Sequence, residues 1–399
     1  MEYTTLGEVC TIKSSKRIYQ SDYLEKGIPF YRGKEISQLS RGEKLDVELY
    51  ISENKYSELK DKFGKVQKGD LLITSVGTIG NTWVSDGRDF YYKDGNITQI
   101  VKNDNINTKF LHYLFKSNII KRQYSKGTSG TAQVALTIEK LKKIKIPKVP
   151  LEYQIKTVKL LEKSQELIDK RKEQVGDLDL LVKSKFIEMF GNPVNNDMKW
   201  DKVVCNDITS KIGSGATPKG GNSSYKEQGI SLIRSMNVHN NTFLVKDLAF
   251  IDDKQAEKLK NVIVKEDDIL LNITGASVAR CCKVPKDIIP ARVNQHVAIL
   301  RCDNEKINPS FMEYQFTNES YQRLLWDIAT SGGATREAIT KQQIQMLEVI
   351  LPPIELQNQF AEFVNQVYKL KFEMEKSLKE LEDNFNSLMQ KAFKGELFN

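Results

Sequence analysis

Apolar positions along the chain follow two alternating regimes. From Tyr3 to about Pro150 they form short runs separated by turn residues; after Pro150 they recur at helical spacing through a charged background. Ile155, Val158, Leu161, Leu167, Ile168, Val175, Leu178, Leu181, Val182, Phe186 and Met189 supply an apolar stripe that stops near Phe190. The succession restarts near Asn192. A strand-rich region runs to about Leu351, and Phe360, Phe363, Val364, Val367, Leu370, Met374, Leu378, Leu381, Phe385, Leu388 and Phe393 form a second stripe. Lysines and glutamates fill much of the remainder, as suits solvent-facing sides.

The two halves match piece by piece. Ile28-Pro29-Phe30-Tyr31-Arg32-Gly33-Lys34-Glu35-Ile36 runs in step with Ile230-Ser231-Leu232-Ile233-Arg234-Ser235-Met236-Asn237-Val238, and Val66 to Thr74 runs in step with Val264 to Asn272. Each of the latter reaches a glycine-containing turn, Ser75 to Asn81 and Ile273 onward. Later, Pro150-Leu151-Glu152-Tyr153-Gln154 parallels Pro353-Ile354-Glu355-Leu356-Gln357. The shared order identifies an internal duplication. Within the first copy, Lys68-Gly69-Asp70 reads as a turn into the strand Leu71-Leu72-Ile73, and Phe110 to Phe115 as the start of a short packed helix. Asp268 to Leu271 and Val297 to Leu300 read as strands of the second.

The expected fold class is therefore α+β: two mixed α/β domains separated by an antiparallel pair of long helices. The expected blocks are residues 1–150 (first head), 151–191 (central helical spacer), 192–351 (second head) and 352–399 (C-terminal helical spacer). At about 1.5 Å per residue the interval Glu152 to Phe190 spans about 58 Å if continuous, an upper figure because Gly176 permits a bend. Burying each aliphatic or aromatic side chain contributes roughly 1.5–3 kcal/mol, which favours pairing the two stripes internally over leaving two free stalks. An intermolecular coiled coil is the alternative for each stripe.

Composition narrows the partners only slightly. Sixty Lys and Arg against 52 Asp and Glu give a formal charge of +8, which favours approach to an anionic polymer without saying which. Cys10, Cys205, Cys281, Cys282 and Cys302 form neither a metal quartet nor a disulfide framework, and Cys281-Cys282 is not a Cys-x-x-Cys motif. With no apolar signal core and no membrane span, the expected location is the cytoplasm, with no membrane partner.

The duplicated order, Val66 to Gly80 against Val264 to Ser277, the two Pro-x-Glu-x-Gln transitions, and the final Lys391-Ala392-Phe393-Lys394-Gly395-Glu396-Leu397 together resemble the specificity, or S, subunit of type I restriction-modification complexes. The resemblance covers nearly all 399 residues. It implies two target-recognition domains, each reading one part of an asymmetric bipartite double-stranded DNA site, with helical spacers fixing the gap. It also implies two docked methyltransferase subunits and up to two motor-nuclease subunits. S-adenosylmethionine would then sit on the methyltransferase, acting on adenine, and ATP with Mg on the motor-nuclease; no cofactor is intrinsic to this chain. At about 3.4 Å per base pair, changing the spacer by a helical turn of about 5.4 Å would shift the gap by roughly one to two base pairs.

Candidate contacts follow from that implied role. In the first head Arg32 and Lys34 suit phosphate or a base edge, Thr74, Ser75, Thr78 and Asn81 surround the glycine loop, and Lys126, Thr128, Ser129 and Gln133 lie in a second small-residue loop. The second head offers Arg234, Asn237, Thr274, Ser277 and Arg280, the amides of Asn294 and Gln295, and the loop bearing Thr330, Thr335 and Arg336. Small residues let backbone amides approach phosphate, while Asn and Gln can pair with adenine in the major groove. The first loop carries two glycines and the second one, so identical loop shapes are not expected.

The chemistry that is missing matters equally. There is no phosphate-binding Gly-x-x-x-x-Gly-Lys-Ser/Thr segment, and Gly191-Asn192-Pro193-Val194 lacks the second proline and aromatic of an adenine-methyltransferase motif, so it reads as a helix end. His112 reads as a packing residue and His239 as a polar loop residue. His296 has no convincing nucleophile or acid beside it, and the scattered acids form no paired metal pattern. The chain is therefore read as noncatalytic. Two other classes stay open: a helical protein-interaction scaffold without sequence readout, and an atypical metal-dependent DNA nuclease.

Overall fold

The computed structural model describes residues 2–125, 135–331 and 337–398. It divides into two compact units, Met1–Lys172 with Lys376–Asn399, and Glu173–Glu375. Lys126, Thr128, Ser129 and Gln133 of the first half, and Thr335 and Arg336 of the second, lie outside the described residues.

In the first unit, strands Ile12–Lys13, Ile97–Ile100, Leu71–Thr74 and Thr82–Val84 form an antiparallel four-stranded sheet in that order. Ile28–Tyr31 pairs antiparallel with Tyr50–Ile51 and parallel with Tyr91–Tyr92. Tyr3–Thr5 pairs with Lys145–Pro147. Leu71 to Thr74 are all buried because both sheet faces are covered. Successive side chains point to opposite faces. Leu71 and Ile73 accordingly join Phe110, Leu111 and Leu114 of the helix Thr108–Lys116, whereas Leu72 joins Tyr31, Phe90 and Ile97.

The second unit repeats this pattern. Strands Thr209–Ser214, Val297–Cys302, Ile269–Asn272 and Cys281–Lys283 form the four-stranded sheet, and Ile230–Ile233 lies between Ala249–Ile251 (antiparallel) and Ala291–Val293 (parallel). Lys202–Val204 pairs with Glu348–Ile350. Ile269 and Leu271 pack toward Phe311 and Met312, and Leu270 toward Leu232 and Val293. Two mixed α/β regions with matching sheet sets are thus joined through the helix Leu151–Phe190. His239 differs from its loop assignment: it pairs with Thr242 in a short hairpin. The cause is Val238, which is fully buried and carries its neighbour into a strand.

The stripes become helices Leu151–Phe190 and Ile354–Lys394, of 40 and 41 residues, and the first continues without interruption through Gly176. In the first unit Val158, Leu161 and Ile168 share a core with Phe385, Ala392 and Phe393. Tyr153 Oη donates to the carbonyl of Ala392 at 2.8 Å, and Lys172 pairs with Glu382 at 2.8 Å. In the second unit Leu178, Val182, Phe186 and Phe190 share a core with Phe360, Val364 and Val367, and Lys371 reaches Asp179 at 2.6 Å. Leu151, Leu167, Leu180 and Ile187 remain exposed on the first helix.

Candidate nucleic-acid interface

Each four-stranded sheet ends in a loop closed by the same backbone bonds. Thr74 N donates to Asn81 O at 2.9 Å and Gly80 N to Thr74 O at 2.9 Å; in the other unit Asn272 N donates to Arg280 O and Ala279 N to Asn272 O, both at 2.8 Å. The turn needs positive φ twice, supplied by Gly77 (77°) and Gly80 (85°) in one loop and by Gly275 (71°) and Ala279 (72°) in the other. The sequence departure therefore does not abolish the shared turn, because Ala279 adopts the left-handed conformation that glycine favours. Two further strands of chain meet each loop: Ser75 N donates to Asn96 O and Leu136 N to Ser75 O, as Ile273 N does to His296 O and Ile339 N to Ile273 O.

In the first unit these contacts bring Thr78 and Asn81 to Ser37. Thr78 Oγ1 lies 2.8 Å from Ser37 Oγ, and Asn81 Nδ2 donates to the same oxygen at 3.0 Å. Thr74 and Ser75 are buried: Thr74 Oγ1 bonds the carbonyl of Thr78, and Ser75 Oγ lies 2.7 Å from Thr98 Oγ1. Thr78 stays exposed. Arg32 and Lys34 are committed to acids. Arg32 bonds Glu35 at 2.9 Å and Glu48 at 2.8 Å, while Lys34 pairs with Glu48 and with Asp46 at 3.1 Å. Lys34 first and Arg32 second pull the Glu48 carboxyl down to about 2, so this carboxylate stays ionised at neutral pH.

The second unit is organised differently at the side-chain level. Asn237 is fully buried and donates through Nδ2 to the carbonyls of Leu244 at 2.9 Å and Lys246 at 3.3 Å. Asn294 is buried, its Oδ1 accepting from His296 N at 3.0 Å. Arg234 donates to the carbonyl of Asp247 and lies over the Tyr225 ring, 5.4 Å from its centroid. Thr330 is exposed at the end of the helix Glu319–Thr330 and bonds back to the carbonyls of Trp326 and Asp327. Thr274 bonds His296 Nδ1 at 2.5 Å, and His296 Nε2 lies 3.1 Å from Gln295 Nε2. Thr217 donates to Gln295 Oε1. Ser277 and Arg280 are partly exposed.

Four participants lay outside the sequence-based candidates. Ser37 meets Thr78 and Asn81, Thr217 meets Gln295, and Arg17 pairs with Asp94 across 77 positions, while His296 adjoins Gln295 in sequence and bonds Thr274. Burial and, second, Lys116 push the His112 imidazole down to about 3, while Thr82 bonds its Nδ1 at 2.9 Å. Burial raises all five thiols, and all five are unbridged. Among the described residues no group of three or more His, Cys, Asp or Glu is arranged to hold a metal ion, and no helix is long and apolar enough to cross a membrane.

The repeated strand order and repeated loop closure define an internally duplicated chain of two mixed α/β regions. A family model described as type I restriction modification DNA specificity domain matches residues 1–176 and 198–383, and the chain belongs to that family. A putative type I restriction enzyme specificity subunit of Haemophilus influenzae is 37% identical over 164 residues, which span 41% of this chain and 40% of that relative. The MjaIX specificity subunit of Methanocaldococcus jannaschii is 23% identical across 94% of this chain and 88% of its own length. Among solved structures, a chain from work on complex assembly and conformational transition of the type I R-M system has a TM-score of 0.63 at 20% identity, covering 99% of this chain and 98% of that one. The type I restriction-modification S subunit from M. genitalium has a TM-score of 0.55 at 14% identity, covering 98% of this chain and 96% of that one. These two likenesses establish a shared fold.

Proposed function

We propose that the chain is the noncatalytic specificity subunit of a cytoplasmic type I restriction-modification complex, recognising an asymmetric bipartite double-stranded DNA site. The observation that carries this reading is that two heads share the order of their four-stranded and three-stranded sheets and the backbone closure of one loop, yet differ in the polar side chains on those loops. Equal frameworks bearing unequal donors and acceptors suit the reading of two different base sequences. Residues 1–150 and 192–351 are the two readers. Residues 151–191 and 352–399 form an antiparallel spacer pair, a reading supported by the contacts of Tyr153 with Ala392 and of Asp179 with Lys371.

In the two heads Thr78, Asn81, Ser277, Arg280, Gln295 and Thr330 face the DNA, and Lys126, Thr128, Ser129, Gln133, Thr335 and Arg336 are further candidate contacts. Thr74, Ser75, Asn237 and Asn294 shape the loops from beneath. Arg32, Lys34 and Arg234 reach phosphate only by exchanging their present partners. Two methyltransferase subunits carrying S-adenosylmethionine dock on the assembly for adenine methylation, and up to two motor-nuclease subunits using ATP and Mg join for restriction.

Methylation profiling of cells carrying this chain and its cognate methyltransferase tests the reading. Exchanging residues 1–150 with those of another family member should change one half of the methylated motif, and exchanging residues 192–351 the other. Movement of both halves in either hybrid would remove the proposed division of labour. DNA cleavage by the purified chain alone with a divalent metal would favour a nuclease instead.

A further inference from the structure

We infer that one base-reading couple occupies the same place in each head: Arg17 with Asp94 in the first, selecting guanine, and Gln295 with Thr217 in the second, selecting adenine. This rests on the heads being the DNA readers. Equivalence follows from register. Ile12 pairs opposite Ile100 and Ile212 opposite Leu300, so the chain leaving each strand brings Arg17 and Thr217 to corresponding positions. The opposing turns also correspond, since Lys93 N donates to Tyr31 O and Asn294 N to Ile233 O, at 2.9 and 3.0 Å. Asp94 and Gln295 each follow directly on these anchors, and the turn is one residue shorter in the second head before the chain rejoins at Asn96 and His296, whose carbonyls accept from Ser75 N and Ile273 N.

The chemistry of the two couples differs in a way that bases can distinguish. Arg17 Nε donates to Asp94 Oδ2 at 3.1 Å, leaving both terminal nitrogens of a side chain that is 68% exposed. A guanidinium pinned at Nε presents two parallel donors, which match O6 and N7 of guanine. Gln295 is exposed, and its amide is pinned at both ends: Oε1 accepts from Thr217, and Nε2 lies 3.1 Å from His296 Nε2. With His296 Nε2 accepting, its Nδ1 carries the proton toward Thr274, 2.5 Å away. One N–H and one oxygen lone pair of Gln295 are then left, the complement of adenine N7 and N6. Gln295 and Arg17 contact the base, whereas Asp94, Thr217 and His296 are positioning residues.

Selection of the full chain, with its cognate methyltransferase, from a randomised duplex library tests this. The unaltered chain should enrich two half-sites. Gln295→Ala should lose roughly tenfold or more of the preference for one adenine in one half-site and leave the other half-site unchanged; Arg17→Ala should do the same for one guanine in the other. His296→Ala should weaken the same adenine preference as Gln295→Ala, and His296→Gln, which restores an acceptor near the position of Nε2, should recover it. Thermal melting of Gln295→Ala should match that of the unaltered chain. If the unaltered chain enriches two half-sites and Gln295→Ala and Arg17→Ala leave both intact, the couples are not readers. If the unaltered chain enriches no half-site, the reading of the heads as DNA readers fails and this inference falls with it.

Discussion

Gln357 Oε1 accepts a hydrogen bond from the backbone N–H of Asn308 at 2.8 Å, tying the start of a long helix to the start of the helix Pro309–Phe316. Gln154 does the same for Asn107 in the other unit, also at 2.8 Å, and each glutamine donates through Nε2 to a carbonyl just ahead of its own helix, Pro352 or Val149. Both side chains are buried. Replacing Gln357 with leucine leaves the Asn308 N–H and the Pro352 carbonyl without these partners. The expected loss is about 1–3 kcal/mol of unfolding free energy in urea, with a similar loss for Gln154→Leu. A change within experimental error in both variants would show that water substitutes freely.

The sequence marked these glutamines as matched positions but not as clamps, because a repeat fixes equivalence and leaves partners open. Helical periodicity was legible for the same reason that it is robust: Leu178, Val182, Phe186 and Phe190 must share a face whatever covers it. The cover expected from the sequence was the other stripe alone; head residues such as Phe110 and Phe311 share it, and the stripe of each long helix is divided between two cores. The polar loop residues were harder still. Thr74, Ser75, Asn237 and Asn294 belong to types that serve a turn and a base edge equally well, and only the fold separates the buried from the exposed. Arg17 and Asp94 are 77 positions apart, so their meeting had no local signal.

The first unit depends on the far end of the chain. Phe393 is fully buried with its ring 5.2 Å from that of Phe110 at an interplanar angle of 71°, and Phe385 lies 6.2 Å from Tyr113. Phe393→Ala should therefore cost about 3–5 kcal/mol, the usual range for emptying an aromatic site. Hydrogen exchange should locate that loss in the helix Thr108–Lys116, although it lies almost 300 positions earlier. Protection lost first in the helix Pro309–Phe316 would contradict this assignment.

Arg301 grips Asp268 through Nε at 2.7 Å and a terminal nitrogen at 2.8 Å, and the aspartate side chain has no exposure. The corresponding Asp70 is held instead by neutral donors: Gln99 Nε2 at 2.6 Å and the backbone N–H groups of Gln67 and Lys102. Removing one partner of a buried ion pair leaves an uncompensated charge. Arg301→Ala is expected to destabilise by about 3 kcal/mol, and adding Asp268→Asn should recover part of it because the stranded charge is gone. Chemical denaturation of the single and double variants gives the comparison; strictly additive losses would argue against coupling.

The two units should respond to acid in opposite directions. His112 is pushed by burial, and secondarily by Lys116, from 6.5 down to about 3 in the folded chain. Between those values the unfolded chain holds more protons, so the first unit loses stability as pH falls below about 6.5. Glu313 is pushed by burial from 4.5 up to about 7, with the Lys283 N–H donating to its Oε1 at 3.0 Å. Here the folded chain holds more protons between the two values, so the second unit gains stability as pH falls from 7 toward 4.5. Lowering pH from 7 to 5 should weaken the first unit by about 1–2 kcal/mol and strengthen the second by about 2–3 kcal/mol. Hydrogen exchange in the helices Thr108–Lys116 and Pro309–Phe316 reads the two responses separately. His112→Gln should flatten the first response and Glu313→Gln the second. Parallel shifts of both helices, unaffected by either substitution, would mean that surface carboxylates dominate the acid response.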